Sequence, residues 1–405
     1  MPSAEGESEI ELFSDDYWDR AATVDARLRE RGPVHRAVEP NGMPVWVVSR
    51  YADARAALAD PRLRKDAVGL RAALTAKLAE AGRPTELSGL FNPHMLNSDP
   101  PDHSRLRRLL ARDFTARRVA ELRPRVAAIT TELVDALPTG EPVDLIDGLA
   151  FPLPITVICE LLGVPVANRE QFRAWSTDLV AGSPERTMAS SGAMAGYFVD
   201  LIGRKRADPG DDLLSALTLA NSDGDRLSGE ELLGTAFLLL VAGHETTVNL
   251  IGNGAHALLR DPHRWRRLHD DPALLPGAIE ELLRFDSPVR TSTPRFTSEP
   301  VDIGSTVIPA NDLVLVALGS ANRDADRFER PDEVDLHRPQ GGHLAFGHGI
   351  HYCLGAPLAR LEAEVALGLL TERFPLTSLA VAEGELRRQP SAIMNGFRAL
   401  PVVLA

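Results

Sequence analysis

The sequence predicts a mainly α protein with small β-sheets. Helix-period apolar patterns dominate from Pro101 onward, strand-like runs are few and short, and one capped helix of roughly 30 residues is about 45 Å long, enough to cross a domain. A chain of 405 residues can bury a large core, and 44% hydrophobic with 25% charged residues is an ordinary globular composition. No repeat or pooled linker divides it, so 1–405 reads as one domain, with about residues 1–15 as a disordered acidic tail.

Charge and cysteine usage exclude several functions. Lys and Arg total 44 against 57 Asp and Glu, a net charge of −13, so no nucleic-acid partner is expected. Cys159 and Cys353 are too few for a disulfide framework, which points to reduced thiols and a cytoplasmic location. The N-terminus lacks a basic and apolar leader, and the longest apolar stretch, Thr235 to Gly243, is about half of a bilayer span, so no membrane insertion is expected.

Taken in order, a β-like run at Pro44 to Val48 precedes a helix at Ala52 to Ala59. Asp66 to Met95 reads as a long loop with one short helix, and such loops are often functional. Helical patterns follow at Pro101 to Asp113, Arg118 to Ala136, Pro154 to Leu162, Arg169 to Val180, Met188 to Arg206 and Leu213 to Ala220. Val301 to Ile303, Val307 to Ile308 and Leu313 to Val316, set around Gly304 and the turn Pro309 to Asp312, predict a small antiparallel sheet. The long helix starts at the capping box Ser228-Gly229-Glu230-Glu231 and can run to Asp261-Pro262. Its centre, Ala236 to Ala242, is apolar on every face and is therefore enclosed.

Into that centre the sequence puts Gly243-His244-Glu245-Thr246-Thr247. A helical glycine costs about 1 kcal/mol relative to alanine, and a buried carboxylate costs more unless paired or hydrated. Either Gly243 permits close helix packing beside hydrogen-bonded core residues, or the helix opens locally so that Glu245 and Thr246 hold water beside a ligand. Phe346-Gly347-His348-Gly349-Ile350-His351-Tyr352-Cys353-Leu354-Gly355 runs directly into an amphipathic helix, Pro357 to Phe374. Cys353 thus sits before a helix N-terminus, which favours a thiolate and suits a nucleophile or a metal ligand. A small buried hydrophobe is the plain alternative, and Cys159 is assigned to it. A zinc site from His343, His348, His351 and Cys353 competes, although the spacing fits no common structural zinc pattern.

Phe346-x-x-Gly349-x-His351-x-Cys353-x-Gly355 resembles the haem-binding signature of the cytochrome P450 monooxygenases. Ala242-Gly243-His244-Glu245-Thr246-Thr247 resembles that family's oxygen-activation motif, and Glu281-Leu282-Leu283-Arg284 its ExxR pair. Phe328 to Arg338 resembles the meander whose arginine, Arg338, completes an ionic cluster. The resemblance implies a P450 fold with the long helix over haem b, Cys353 as axial iron ligand, and Ala242, Phe346, Gly349 and Gly355 against the cofactor. His103 and Arg107, spaced i, i+4, can both donate to a haem propionate. Arg295 and His351 match the family's other propionate ligands. Glu281, Arg284 and Arg338 are expected to form a buried structural clamp rather than a surface pair.

The implied activity is insertion of one atom of O2 into an unactivated C–H bond, with Thr246 and Glu245 relaying protons. Electrons would come from NAD(P)H through a reductase and an acidic ferredoxin. Arg105, Arg107, Arg108, Arg112, Arg117 and Arg118, opposed by Asp113, form an excess that suits such a partner. By position, Leu238, Val241, Ala242, Val289, Thr291, Ile393 and Met394 should line an apolar substrate cavity, with Asp66 to Met95 and Phe172 to Met194 as lids. Stretches such as LNSDPPDHSRLRRLLARDFTARRV and PLPITVICELLGVP look close to hydroxylases that tailor macrolides and other polyketides. Steroid or vitamin D-like substrates come second, and a non-catalytic haem-binding protein is the competing class.

Overall fold

A computed structural model gives the fold and describes residues 12–14, 17–39, 42–87, 93–112, 114–181, 184–219, 226–339 and 341–405. The chain opens with α1 (Tyr17–Arg31), β1 (Val34–Val38), β2 (Pro44–Val48), α2 (Tyr51–Ala59), β3 (Leu63–Arg64) and α3 (Ala67–Glu80). A helical stretch follows: α4 (Asp102–Ala111), α5 (Ala116–Glu121), α6 (Arg123–Asp135), the short β4 (Pro142–Asp144), α7 (Pro152–Leu161), α8 (Arg169–Ala181), α9 (Pro184–Ala207) and α10 (Leu213–Leu219). Then come α11 (Gly229–Leu259), α12 (Pro262–Asp270) and α13 (Leu275–Phe285). β5 (Arg295–Thr297), β6 (Val301–Ile303), β7 (Thr306–Ile308), β8 (Leu313–Val316), α14 (Leu318–Ala321), α15 (Ala356–Arg373), β9 (Ser378–Leu379) and β10 (Pro401–Val403) complete it. The protein is mainly α with small sheets.

α11 forms as its capping box dictates. The Ser228 hydroxyl accepts from the Glu231 N–H at 3.1 Å, and the Glu231 carboxylate accepts from the Ser228 N–H at 2.8 Å. The helix runs unbroken through its centre and packs against α7, α13 and α15. A Cβ added to Gly243 would lie 3.0 Å from the Ile158 side chain on α7. The close-packing reading of Gly243 therefore holds, and no local opening of the helix accompanies it.

Three expectations are corrected. The helix expected within Asp66 to Met95 is longer than the short one foreseen, α3 running 14 residues: the Asp66 carboxylate caps it by accepting from the Gly69 N–H at 2.9 Å. Leu70, Ala73, Leu74 and Leu78 are then buried in the N-terminal core. The helix predicted over Arg118 to Ala136 is two, α5 and α6, with Pro124 in the first turn of α6, where a missing N–H costs nothing. β6 and β7 pair as an antiparallel hairpin, but β8 leaves them for a five-stranded sheet of order β1-β2-β8-β5-β3. There it lies parallel to β2 and antiparallel to β5, and all four of its residues are buried, as its continuous apolar run allows.

Part of the expected tail is packed. Residues 1–11 and 15–16 lie outside the described ones, but Leu12 and Phe13 are buried, with the Phe13 ring 5.4 Å from Tyr17 and 5.9 Å from Trp18. No described helix is long and apolar enough to cross a membrane.

The segment before the thiol loop is fixed by ions. Glu281 accepts both Arg284 Nε and Nη2 at 2.8 Å, and Arg338 Nε at 2.9 Å. Arg284 spends its remaining donors on the carbonyls of Asn322, Pro331 and Glu333. Every lone pair and proton is thus used, which lets the pair sit with side chains only 2% exposed. Glu281→Ala would leave two guanidinium groups without their carboxylate. A loss of about 3–5 kcal/mol in unfolding free energy is expected, measurable by denaturant titration.

Candidate active site

The thiol loop is built by two glycines. Gly347 and Gly349 both have positive φ, and a Cβ on Gly349 would come within 3.0 Å of the Leu58 carbonyl oxygen. The loop closes when the Cys353 N–H donates to the Phe346 carbonyl at 2.9 Å. α15 begins three residues after Cys353. Cys353 is exposed where it lines the cavity, yet desolvation by the protein around the sulfur pushes its thiol up in pKa, while the Gly355 and Ala356 N–H groups and Arg107 pull it down. A cation against the sulfur would complete that stabilisation. Phe346 is clamped from outside by the Arg360 guanidinium, 4.5 Å from its ring centroid. Arg360 in turn donates to Glu280 at 2.6 and 2.9 Å, and His343 pairs with the same carboxylate at 3.1 Å. These contacts hold Glu280 at a pKa of about 2 despite burial, and they engage one of the histidines that the zinc reading required. Among the described residues no three His, Cys, Asp or Glu side chains converge as a metal cage.

Beside the thiol loop the structure gathers basic groups that lack acidic partners. His103 on α4 is 2% exposed, neither ring nitrogen has a partner, and its ring centroid is 4.4 Å from that of His351. His351 Nε2 and Arg295 Nε are buried and unpartnered as well. Arg107 Nη2 donates to the Tyr352 carbonyl at 2.9 Å, tying α4 to the thiol loop. Burial, then the charges of Lys65, Arg295, His103 and Arg107, drives His351 down to a pKa of about 2. Burial lowers Arg295 to about 10. Orphaned donors and depressed bases of this kind are what a site made for anionic groups looks like without them.

The thiol and most of these bases share the wall of one cavity of about 270 Å³, mostly apolar, lined by Met95, Leu238, Ala242, Thr246, Val289 and Cys353 among others. Ala242, Phe346, Gly355, Arg107, Arg295 and His351 are on its wall; His103 stands behind His351, and Gly349 backs onto Leu58 and Ala59. Of the expected substrate residues, Leu238, Ala242 and Val289 line the cavity, and four do not. Val241 precedes Ala242 by a third of a helical turn and joins the core. The Thr291 hydroxyl is turned to the Ala392 carbonyl at 2.9 Å. Ile393 and Met394 pair along the back of Arg290 and Val289. Of the two expected lids, the first brings Met95 to the wall, next to Leu96, while α3 packs into the core; among the described residues none of 172–194 lines the cavity, and Phe172 and Met194 are wholly buried in the helical core. Residues 88–92 and 182–183 of those segments lie outside the described ones. A second hollow of about 330 Å³, between α5, α6, α7 and α10, contains none of the expected site residues except Arg118 of the basic face.

On α11, the Thr246 hydroxyl faces the cavity and donates to the Ala242 carbonyl at 3.2 Å. Glu245 is not on the wall. It is buried beside His244, whose Nε2 is 3.8 Å from its carboxylate, and burial raises its pKa to about 7. His244 is itself lowered to about 4 by burial, so this is a neutral neighbour rather than an ion pair. The sequence reading missed Glu362 on α15. It lines the cavity, is fully buried, has no hydrogen bond to either oxygen, and is raised to about 8 by burial, with Thr247 lowering it slightly. Its only sequence signal is an acid on the otherwise apolar face of the helix after Cys353.

Arg105 is also corrected. It is half-buried and bonded to Glu231 at the start of α11, not turned outward with the basic face. Arg108, Arg112, Arg117 and Arg118 are exposed, and Asp113 lies outside the described residues.

The donor set fits the haem that the resemblance implies: one thiol against helix amides, a mostly apolar cavity, and buried basic groups without acidic partners. A cytochrome P450 family model matches residues 199–393. Cytochrome P450 107B1 of Saccharopolyspora erythraea is 54% identical, over 93% of this chain and 93% of its own. Vitamin D(3) 25-hydroxylase of Pseudonocardia autotrophica is 47% identical over 98% and 97%. The tirandamycin C-bound P450 monooxygenase TamI superposes with a TM-score of 0.91 at 48% identity, covering 98% of this chain and 100% of that one. Because such relatives are named monooxygenases and hydroxylases, the non-catalytic reading falls away.

Glu362 makes the apoprotein's stability depend on pH. Its pKa rises from the ordinary 4.5 to about 8 on folding, so the native state keeps a proton that the unfolded chain releases. The associated stability is fully present below pH 4.5 and is lost as pH rises through 8. Glu362→Gln is expected to remove a pH-dependent decline on the order of 3–5 kcal/mol between those values, read from denaturant midpoints of the apoprotein across pH.

Proposed function

The chain belongs to the cytochrome P450 family, and from that premise we propose that this monooxygenase inserts one oxygen atom from O2 into an unactivated C–H bond of a bulky, mostly apolar natural product. A macrolide or other polyketide is the first choice of substrate, acted on in the cytoplasm, with electrons from NAD(P)H through a reductase and ferredoxin. The observation that carries this reading is the apolar cavity that has the Cys353 thiol on one wall and the Thr246 hydroxyl on another.

When bound, haem supplies an iron that activates dioxygen with electron donation from the Cys353 thiolate. Gly355 and Ala356 N–H groups would hold that thiolate, and Arg107, Arg295, His103 and His351 would hold the cofactor's carboxylates. Leu238, Ala242, Val289, Met95 and Leu96 exclude water and orient the substrate by shape. Thr246 Oγ1 delivers a proton into the cavity. Glu245 stands behind it with a pKa near neutrality, so it can be recharged from outside without stranding a charge. Glu362 is a second buried acid in reach of the same space.

The macrolide preference draws on the sequence stretches around Pro101 and Pro154. Vitamin D-like and steroid substrates form the second reading, favoured by the vitamin D(3) 25-hydroxylase relative. A substrate panel decides between them: the true class is expected to shift the haem Soret band from low to high spin, and a macrolide panel without any shift would overturn the first choice. Reduced holoprotein under carbon monoxide is expected to give the red-shifted band of thiolate ligation.

Two variants test the roles of α11 and α4. Thr246→Ala is expected to lower the product formed per NAD(P)H consumed and to raise hydrogen peroxide correspondingly; unchanged coupling would remove Thr246 from proton delivery. Arg112→Glu, on the exposed part of the basic face, is expected to raise the KM for reduced ferredoxin in a salt-sensitive manner.

A further inference from the structure

Lys65 takes no part in the roles above. It follows β3 directly and is 1% exposed, among the largest fully buried side chains of the protein. A buried ammonium is normally paired with a carboxylate. Here Nζ donates only to the Thr293 hydroxyl, a neutral acceptor, and makes no ion pair among the described residues. The nearest acid, Asp99, is engaged elsewhere: its Oδ2 accepts from the backbone N–H groups of Lys65 and Asp66 at 3.0 and 2.9 Å and from Arg64 Nε at 3.2 Å. Burial and the neighbouring Arg295 push the Lys65 pKa well below its ordinary value. The side chain lines the same cavity as Arg107, Arg295 and His351, which likewise lack acidic partners.

We propose that Lys65 is a fifth anchor for the carboxylates of the haem, held facing the cavity by Thr293 and given its missing counter-charge when the cofactor binds. The proposal rests on the haem reading above, since the anion it needs is the cofactor's. It also joins two functions in one hydrogen bond, because Ser292 and Thr293 line the cavity beside Val289. The cofactor anchor and that part of the substrate wall are one unit.

The test uses full-length holoprotein and measures haem transfer to excess apomyoglobin, alongside thermal unfolding of the apoprotein. Lys65→Met is expected to lose haem roughly ten- to a hundredfold faster, the effect of one hydrogen bond to a charged group. Its apoprotein is expected to melt no lower than wild type, since an unpaired buried charge has been removed. Lys65→Arg, which keeps the charge, is expected to retain haem better than Lys65→Met. Lys65→Gln, read in the same two assays, serves if the methionine variant does not fold. An unchanged haem-loss rate, or an apoprotein destabilised as much as the holoprotein, would overturn the anchor and leave a packing role. Wild-type protein that takes up no haem would instead overturn the reading beneath it.

Discussion

The interaction on which the rest depends is a sulfur held against the first amides of a helix, on the wall of a cavity that also carries basic side chains without acidic partners. Neither is satisfied by itself. Burial resists ionisation of the thiol, and burial lowers the pKa of His351, His103 and Arg295. A ligand that is cationic at its centre and anionic at its edge relieves both at once. The fold can be understood as the means of holding the thiol and these bases at the wall of one cavity. Gly347 and Gly349 bend the thiol loop, Arg360 presses on Phe346, and the Glu281 cluster fixes the chain that leads into it.

The neutral acids on and beside the cavity follow the same logic. Glu245 and Glu362 are raised to about 7 and about 8 by burial with little compensation. A carboxyl that is neutral near working pH can give a proton and take one back, which an ion-paired carboxylate such as Glu280, at about 2, cannot. Environment alone separates a proton donor from a structural brace, although all three are glutamates.

Much of this was legible in the sequence. The ends of α11 follow from Ser228 to Glu231 and from Asp261-Pro262, because capping chemistry is local. The clamp of Glu281, Arg284 and Arg338 came from spacing and resemblance, and the thiol loop from its glycines. What was missed depended on long-range geometry. Lys65 and Glu362 look like ordinary charged residues until the fold buries them. Val241 and Thr291 could not be excluded from the cavity wall without knowing the rotation of a helix and the pairing of Thr291 with Ala392. The partner of β8 was misjudged because a four-residue apolar run does not say which strand it meets, and α3 because its capping aspartate was read as part of a polar loop.

α4 carries a mechanical consequence. One of its arginines is bonded to the thiol loop at Tyr352 and another to Glu231 at the first turn of α11, while its outer face remains exposed. The helix therefore forms a crossbar between the thiol loop and the first turn of α11, so a load on its outer side bears on both.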